Sequence, residues 1–187
     1  GVEFDGVKLD IVPENNGVNV RGRLNSPDGF MNIDGRVVLD AKQSWPMDFS
    51  VKSKNFRLLD SPEMKLYLDS DLHLKKKKEL FALTGNLTIP KADVWLQQIP
   101  AGTVTVSPDV VILQAHKQDD PASPVQMQLK VVLGNNVHFV GMGLNSFIDG
   151  QLTLTADSGE QLFGSGEFHL KQGTFRAYSQ DLEIQTG

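Results

Sequence analysis

The chain has 187 residues, 40% apolar and 22% charged, and its 18 basic against 23 acidic residues leave a net charge of −5. That length fits one large domain with a sizeable core, and the negative balance disfavours nonspecific attraction to nucleic acid or to anionic lipid headgroups. The absence of cysteine excludes disulfides, zinc-thiolate centres and thiol catalysis, and leaves the redox compartment open.

Taken from the N-terminus, Val2, Phe4 and Gly6 share one face of an opening strand, and Val7, Leu9 and Ile11 continue one residue out of phase, as at a bulge or bend. After the turn Glu14-Asn-Asn-Gly17 comes Gly22-Arg-Leu24, then the turn Ser26-Pro-Asp-Gly29. Met31, Ile33, Gly35, Val37, Leu39 and Ala41 next alternate with Asn32, Asp34, Arg36, Asp40 and Lys42. Beyond Gln43-Ser-Trp-Pro46 and Asp60-Ser-Pro62, residues Met64, Leu66, Leu68, Leu72 and Leu74 oppose Lys65, Tyr67, Asp69, Asp71 and His73. Phe81, Leu83, Leu87 and Ile89 oppose Ala82, Thr84, Asn86 and Thr88. Residues 92–98 are the one place where a helical turn is admissible, although a short strand fits better.

Val125, Met127, Leu129, Val131 and Leu133 resume the alternation with Gln126, Gln128 and Lys130 between them. Ile148, Leu152, Leu154 and Ala156 follow, then Leu162, Phe168 and Leu170. Phe175 and Ala177 slip in phase against Leu182 and Ile184, again as at a bulge. The pattern predicts about a dozen half-buried antiparallel strands in a meander.

A glycine heads several of these strands: Gly22-Arg-Leu24, Gly35-Arg-Val37, Gly85-Asn-Leu87-Thr-Ile89, Gly150-Gln-Leu152-Thr-Leu154 and Gly166-Glu-Phe168-His-Leu170. Each glycine shares a face with the apolar residues after it. That face can be covered in a sandwich, in a closed barrel, or by folding one long sheet so that its own apolar side lines a groove. In a packed core each bare glycine leaves a hole costing about 1 kcal/mol or more, so the row suits a crease, and the third arrangement is preferred. Enlarging Gly150 or Gly166 is then expected to narrow the groove before it unfolds the sheet.

No catalytic constellation emerges. His73, His116, His138 and His169 lack metal-ligand spacing, and Asp69 and Asp71 share a face without a basic partner of their own. No serine sits in a nucleophile elbow, and Gly141-Met-Gly143 is followed by neither lysine nor helix. Lys75–Lys78 reads as a solvated hairpin turn, with a headgroup contact at a groove mouth as the functional alternative. Trp45, Trp95 and Met142 read as packing residues, and Met127 suits a sliding acyl chain. Neither an enzyme nor a cofactor is expected.

Residues 85–113, from Gly85-Asn-Leu-Thr-Ile-Pro90 through Leu96-Gln-Gln-Ile99-Pro100 to Val104-Thr-Val106-Ser107-Pro-Asp109-Val-Val111, resemble the C-terminal domain of the TamB family. The end of the chain resembles it more specifically, in Gly164-Ser-Gly166-Glu-Phe168-His-Leu170-Lys-Gln-Gly173-Thr-Phe175-Arg-Ala177-Tyr178-Ser-Gln180. The resemblance implies an all-β fold: a single long curled antiparallel sheet, a taco-shaped groove with an apolar concave interior. It implies one domain over residues 1–187, a fragment of a longer protein that spans the periplasm from a bacterial inner-membrane anchor. It further implies transport of phospholipid toward the outer membrane and assembly of outer-membrane proteins such as autotransporters. The partner would be an outer-membrane barrel, TamA, engaged through segments outside this chain, and nucleic acid is not expected.

Two readings stand. In the first, Leu66, Leu68, Phe81, Leu83, Leu87, Ile89, Val131, Ile148, Leu152, Leu154, Phe168 and Leu170 line a groove for phospholipid acyl chains. In the second, open sheet edges capture outer-membrane strands by β-augmentation. A barrel holding one small apolar ligand is a weaker third.

Overall fold

A computed structural model describes residues 5–96, 125–159, 161–177 and 180–186. Ten strands lie side by side in chain order: β1 (Gly6–Glu14), β2 (Gly17–Ser26), β3 (Gly29–Val38), β4 (Met47–Asp60), β5 (Met64–Lys77), β6 (Leu80–Leu96), β7 (Val125–Gly141), β8 (Leu144–Ala156), β9 (Phe163–Ala177) and β10 (Gln180–Thr186). β1 and β10 do not pair with each other, so the sheet is open and the closed barrel is excluded. All neighbours are antiparallel except β6 and β7, which run parallel. That departs from the expected meander, because a parallel pair needs a crossover rather than a hairpin. Residues 97–124 between them, like Val2 and Phe4, lie outside the described residues.

Two local readings change. Residues 92–96 continue β6, while the one short helix among the described residues is a 3-10 turn at Ala41–Gln43. Asp40 caps it, accepting the Lys42 N–H at 2.9 Å. The phase slip at the C-terminal end falls between two strands rather than within one: Phe175 of β9 pairs directly with Leu182 of β10, so the two share a face.

Ladder partners share a face. Leu9, Gly22, Ile33, Val51, Leu72, Gly85, Leu129, Leu154 and Gly164 therefore make one unbroken row from β1 to β9. Beside it runs a second row of Val7, Leu24, Met31, Ser53, Ser70, Leu87, Val131, Leu152 and Gly166. The opposite face carries cross-strand ion pairs, among them Arg21–Asp34 at 3.9 Å, Lys52–Asp71 at 3.5 Å and Lys75–Asp48 at 3.3 Å.

Every buried side chain among the described residues lies on the apolar face: Phe56, Ala92, Leu129, Val137 and the serines Ser26, Ser53, Ser70 and Ser146. A flat single layer would leave both faces equally wet, so burial confined to one face means that the sheet curls with that face inward. The burial is greatest where the ladders slip, near Ser53–Phe56 in β4, Ile89–Lys91 in β6, Leu133–His138 in β7 and Ser146–Phe147 in β8. A bulge bends its strand and increases local twist, so the aligned bulges form the crease. Gly85 and Gly150 take φ of +136° beside it, a backbone conformation closed to most L side chains. The chain exposes 13446 Å² in all, against roughly 8,900 Å² for a compact monomer of its mass. All ten strands belong to one sheet, whereas a sandwich needs a second sheet stacked on it.

Candidate functional site

The inward face forms an apolar trough running across the strands, about 43 Å from β1 to β10 at about 4.8 Å per step. Where the ladders slip, in β4 to β8, the two halves of the bent strands form its walls, and the strand ends form its rims. Leu83 pairs with Leu74 and Met127, Leu87 with Val131, and Val131 with Leu152, so these residues form one contiguous patch. Leu154 adjoins it through Leu129. Leu66 pairs with Leu59 and Ala92, and Leu68 with Phe56, which places both at the crease. Ile89 pairs with Leu133, and Ile148 with Leu170. Phe81 stands at one rim between Lys76 and Val125, and Phe168 faces Gly150. All twelve groove candidates thus share the inward face. None is buried, and Phe168 is 51% exposed.

The first four strands, absent from the candidates, extend the trough. Phe49 covers Gly35 with its ring, and Val7, Leu9 and Ile11 of β1 are exposed at the open edge. The serines were also missed. Bulges strip backbone groups of ladder partners, and here hydroxyls replace them. Ser53 Oγ donates to the Leu68 carbonyl at 3.1 Å and lies 2.8 Å from Ser70 Oγ. Ser26 Oγ accepts the Arg57 N–H at 3.1 Å, and Ser146 Oγ donates to the Lys171 carbonyl at 3.2 Å. The available signal was a serine at an inward position of an otherwise apolar alternation, as in Leu66, Leu68, Ser70, Leu72, Leu74.

The glycines behave differently from expectation. A Cβ on Gly150 would run into the Glu167 carbonyl oxygen, and one on Gly166 into that of Gln151. Substitution there strikes the neighbouring strand's backbone and disturbs the sheet itself, so the expected narrowing without unfolding is corrected.

The titratable groups are arranged for surface pairing. Asp71 lies between Lys52 and His73, at 3.5 and 3.7 Å, while Asp69 pairs with Lys54 and accepts the Asn55 N–H at 2.5 Å. His138 Nε2 lies 2.8 Å from Asn145 Oδ1, its ring stacked 4.8 Å from Phe147. Asp149 bridges Lys171 and His169. A hydrogen bond from Lys171 holds the Asp149 carboxyl below the usual carboxylate range, against partial desolvation, and Arg176 does the same for Asp181. His116 lies outside the described residues. Among the described residues no group of three or more His, Asp or Glu side chains is placed to hold a metal ion, and no helix is long and apolar enough to cross a membrane.

Each rim has a hollow. One, of about 980 Å³, lies among Lys65, Trp95, Leu96, Met142, Leu144, Arg176 and Asp181. The other, of about 330 Å³, lies among Arg36, Val38, Pro46, Met47, Asp48 and Lys75–Lys77. The lysine run is thus both the β5–β6 hairpin turn, with Lys78 at φ +53°, and part of a rim. Gly141-Met-Gly143 is the β7–β8 turn.

Comparison with known proteins points to one family. The family model described as TamB C-terminal domain matches residues 10–187. The Translocation and assembly module subunit TamB of Haemophilus influenzae (strain ATCC 51907 / DSM 11121 / KW20 / Rd) is 26% identical over 183 residues, covering 90% of this chain. The chain spans 14% of that relative's length. No solved structure matches.

Proposed function

The chain belongs to the TamB family, and we propose that its trough carries phospholipid acyl chains toward the outer membrane. In this reading the chain is one segment of a periplasmic protein anchored in the inner membrane, and it supports assembly of outer-membrane proteins such as autotransporters. The outer-membrane barrel TamA would be engaged through segments outside this chain. The observation that carries the reading is the unbroken inward row from Leu9 to Gly164, apolar or bare at every step and covered by no other described element. Each methylene moved from water into such a trough gains about 0.8 kcal/mol. Sliding along it exchanges one apolar contact for another, so lipid can move without being trapped.

The test compares Leu152→Arg, which puts a charge on the inward face, with Thr155→Arg on the exposed outward face. Copurified phospholipid, measured by native mass spectrometry, should fall roughly tenfold or more in the first variant and hold in the second, since an unpaired charge in an apolar site costs several kcal/mol. Equal lipid in both folded variants would sink the conduit.

A second reading is favoured by the open edges: β1 exposes Val7, Leu9 and Ile11, and β10 exposes Leu182. Such edges suit capture of a client strand through backbone hydrogen bonds. A proline at Leu9 should then abolish client binding, with Leu152→Arg having little effect on it.

A further inference from the structure

We infer that the seam between β6 and β7 opens to admit one antiparallel strand of a client protein; this rests on the client-capture reading above and moves the capture from the sheet edges to its middle. The client strand is an extended segment in which apolar and polar residues alternate, as they do along the strands of an outer-membrane barrel. β6 and β7 form the one parallel ladder among the described strands, and every other pair of neighbours is antiparallel. Parallel pairing is slightly the weaker per residue, and a strand inserted antiparallel to both replaces it with two antiparallel ladders. Extended segments do enter existing sheets in this way.

No hairpin holds the two strands together: residues 97–124 join them, whereas residues 39–46 are the longest of the other connections, so β6 and β7 can part without breaking a turn. Among the described residues no side-chain hydrogen bond, ion pair or ring contact links β6 to β7. The ladders on either side are stitched, by Lys91 over the Tyr67 ring at 5.4 Å between β6 and β5, and by His138 Nε2 to Asn145 Oδ1 at 2.8 Å between β7 and β8. The seam runs without a slip for nine rungs, Phe81–Val125 to Ile89–Leu133, and a barrel strand crosses a bilayer in about 9–11 residues. The edges offer less, since each pairs on one side only, β10 has 7 residues, and β1 ends in Pro13-Glu14, where the proline lacks a donor. An inserted strand also finds its two faces already sorted. Leu83 and Met127, Gly85 and Leu129, and Leu87 and Val131 would flank it on the inward face, with Thr84 and Gln128, and Asn86 and Lys130, on the outward face. Its apolar residues thus join the trough lining and its polar residues the wet surface.

The chain has no cysteine, so Thr84→Cys with Gln128→Cys places one disulfide across the seam, on the outward face. The probe is a fluorescent peptide of about ten residues alternating valine with threonine, with lysine ends for solubility, and binding is read by fluorescence anisotropy. The reduced variant should bind as wild type does, and the oxidised variant roughly tenfold more weakly or worse. Leu9→Pro and Glu183→Pro, which block the two edges, should leave binding unchanged. Undiminished binding by the oxidised form would overturn the seam. Binding lost in the edge variants would overturn it too, while leaving client capture standing at the edges. Wild type that binds no peptide would overturn client capture itself, and binding gained on exchanging residues 97–124 for a glycine–serine chain of equal length would then assign the seam to the chain's own connection. Should the first cysteine pair disturb the sheet spectrum, Asn86→Cys with Lys130→Cys applies the same lock at the next outward rung, with the same loss expected.

Discussion

Adjacent glycines on β9 separate two jobs that look alike in sequence. A Cβ on Gly164 would meet only the Leu152 and Leu154 methyls at 3.5 Å, an ordinary contact, whereas one on Gly166 would strike the Gln151 carbonyl and lie 2.7 Å from Leu152 Cα. Gly164→Ala should therefore change unfolding free energy by no more than about 0.5 kcal/mol, and Gly166→Ala should cost about 2 kcal/mol or more, read from urea titrations followed by circular dichroism. Matching midpoints for the two variants would contradict the geometry. Ser146 makes a similar point: removing its hydroxyl in Ser146→Ala leaves the Lys171 carbonyl without that donor, at about 1–3 kcal/mol. A serine inside an apolar stripe looks like an interruption in sequence, and only the bulge beside it explains why a hydroxyl is needed there. Asp149 adds a pH dependence. Its folded carboxyl is held below the ordinary value of 3.8, so its stabilisation is fully present above that value and lost as pH falls through it toward the folded value. The difference in urea midpoint between wild type and Asp149→Asn should therefore shrink below about pH 4.

At the scale of the strand, parity decides which face is wet. β5 was fully legible because Leu66 to Leu74 alternate without a break and its ladder with β4 and β6 absorbs every slip on the partner strands. β6 was less so: Ile89 and Ala92 are both inward although three residues apart, because the bulge at Pro90 changes parity. β7 carries its extra residues at Asn135-Asn136, between Leu133 paired with Gly150 and His138 paired with Phe147. Deleting Asn135 alone should turn Val137 and Phe139 outward, since a one-residue slip reverses every side chain beyond it. Deleting Asn135 and Asn136 together keeps the parity and removes only the bend. The single deletion should bind the apolar dye ANS strongly and lose cooperative unfolding; the double should keep a cooperative melt. Similar behaviour from both would mean that parity does not organise this face. The parallel pairing of β6 with β7 was not legible, because periodicity reports which face a residue takes and carries no information on strand direction.

On the conduit reading, the whole sheet is a vessel whose lining is completed by lipid. Only Phe56, Ala92, Leu129 and Val137 are buried apolar residues among those described, while Val7, Leu9, Phe168 and Leu182 stand more than half exposed along its edges. Much of the apolar surface that a packed core would remove from water stays exposed along the inward face. Unfolding should accordingly expose less new apolar surface than in a compact domain, with a heat-capacity increment below the usual range of about 12–15 cal/mol/K per residue. An occupant reverses this. A lipid that binds the folded sheet and not the unfolded chain adds about 2.7 kcal/mol at a hundredfold excess over its dissociation constant. For a chain of this length that corresponds to a rise in Tm of roughly 5–10 °C. Melting followed by circular dichroism, with and without a short-chain phosphatidylglycerol below its micelle concentration, measures the shift. Leu152→Arg should abolish the shift, because the charge sits on the inward face between Val131 and Gly166. Thr155→Arg should retain it, because that side chain faces out. A shift of equal size in both variants would mean that the lipid binds somewhere other than the trough, and the glycine-spaced face would then be a folding device alone.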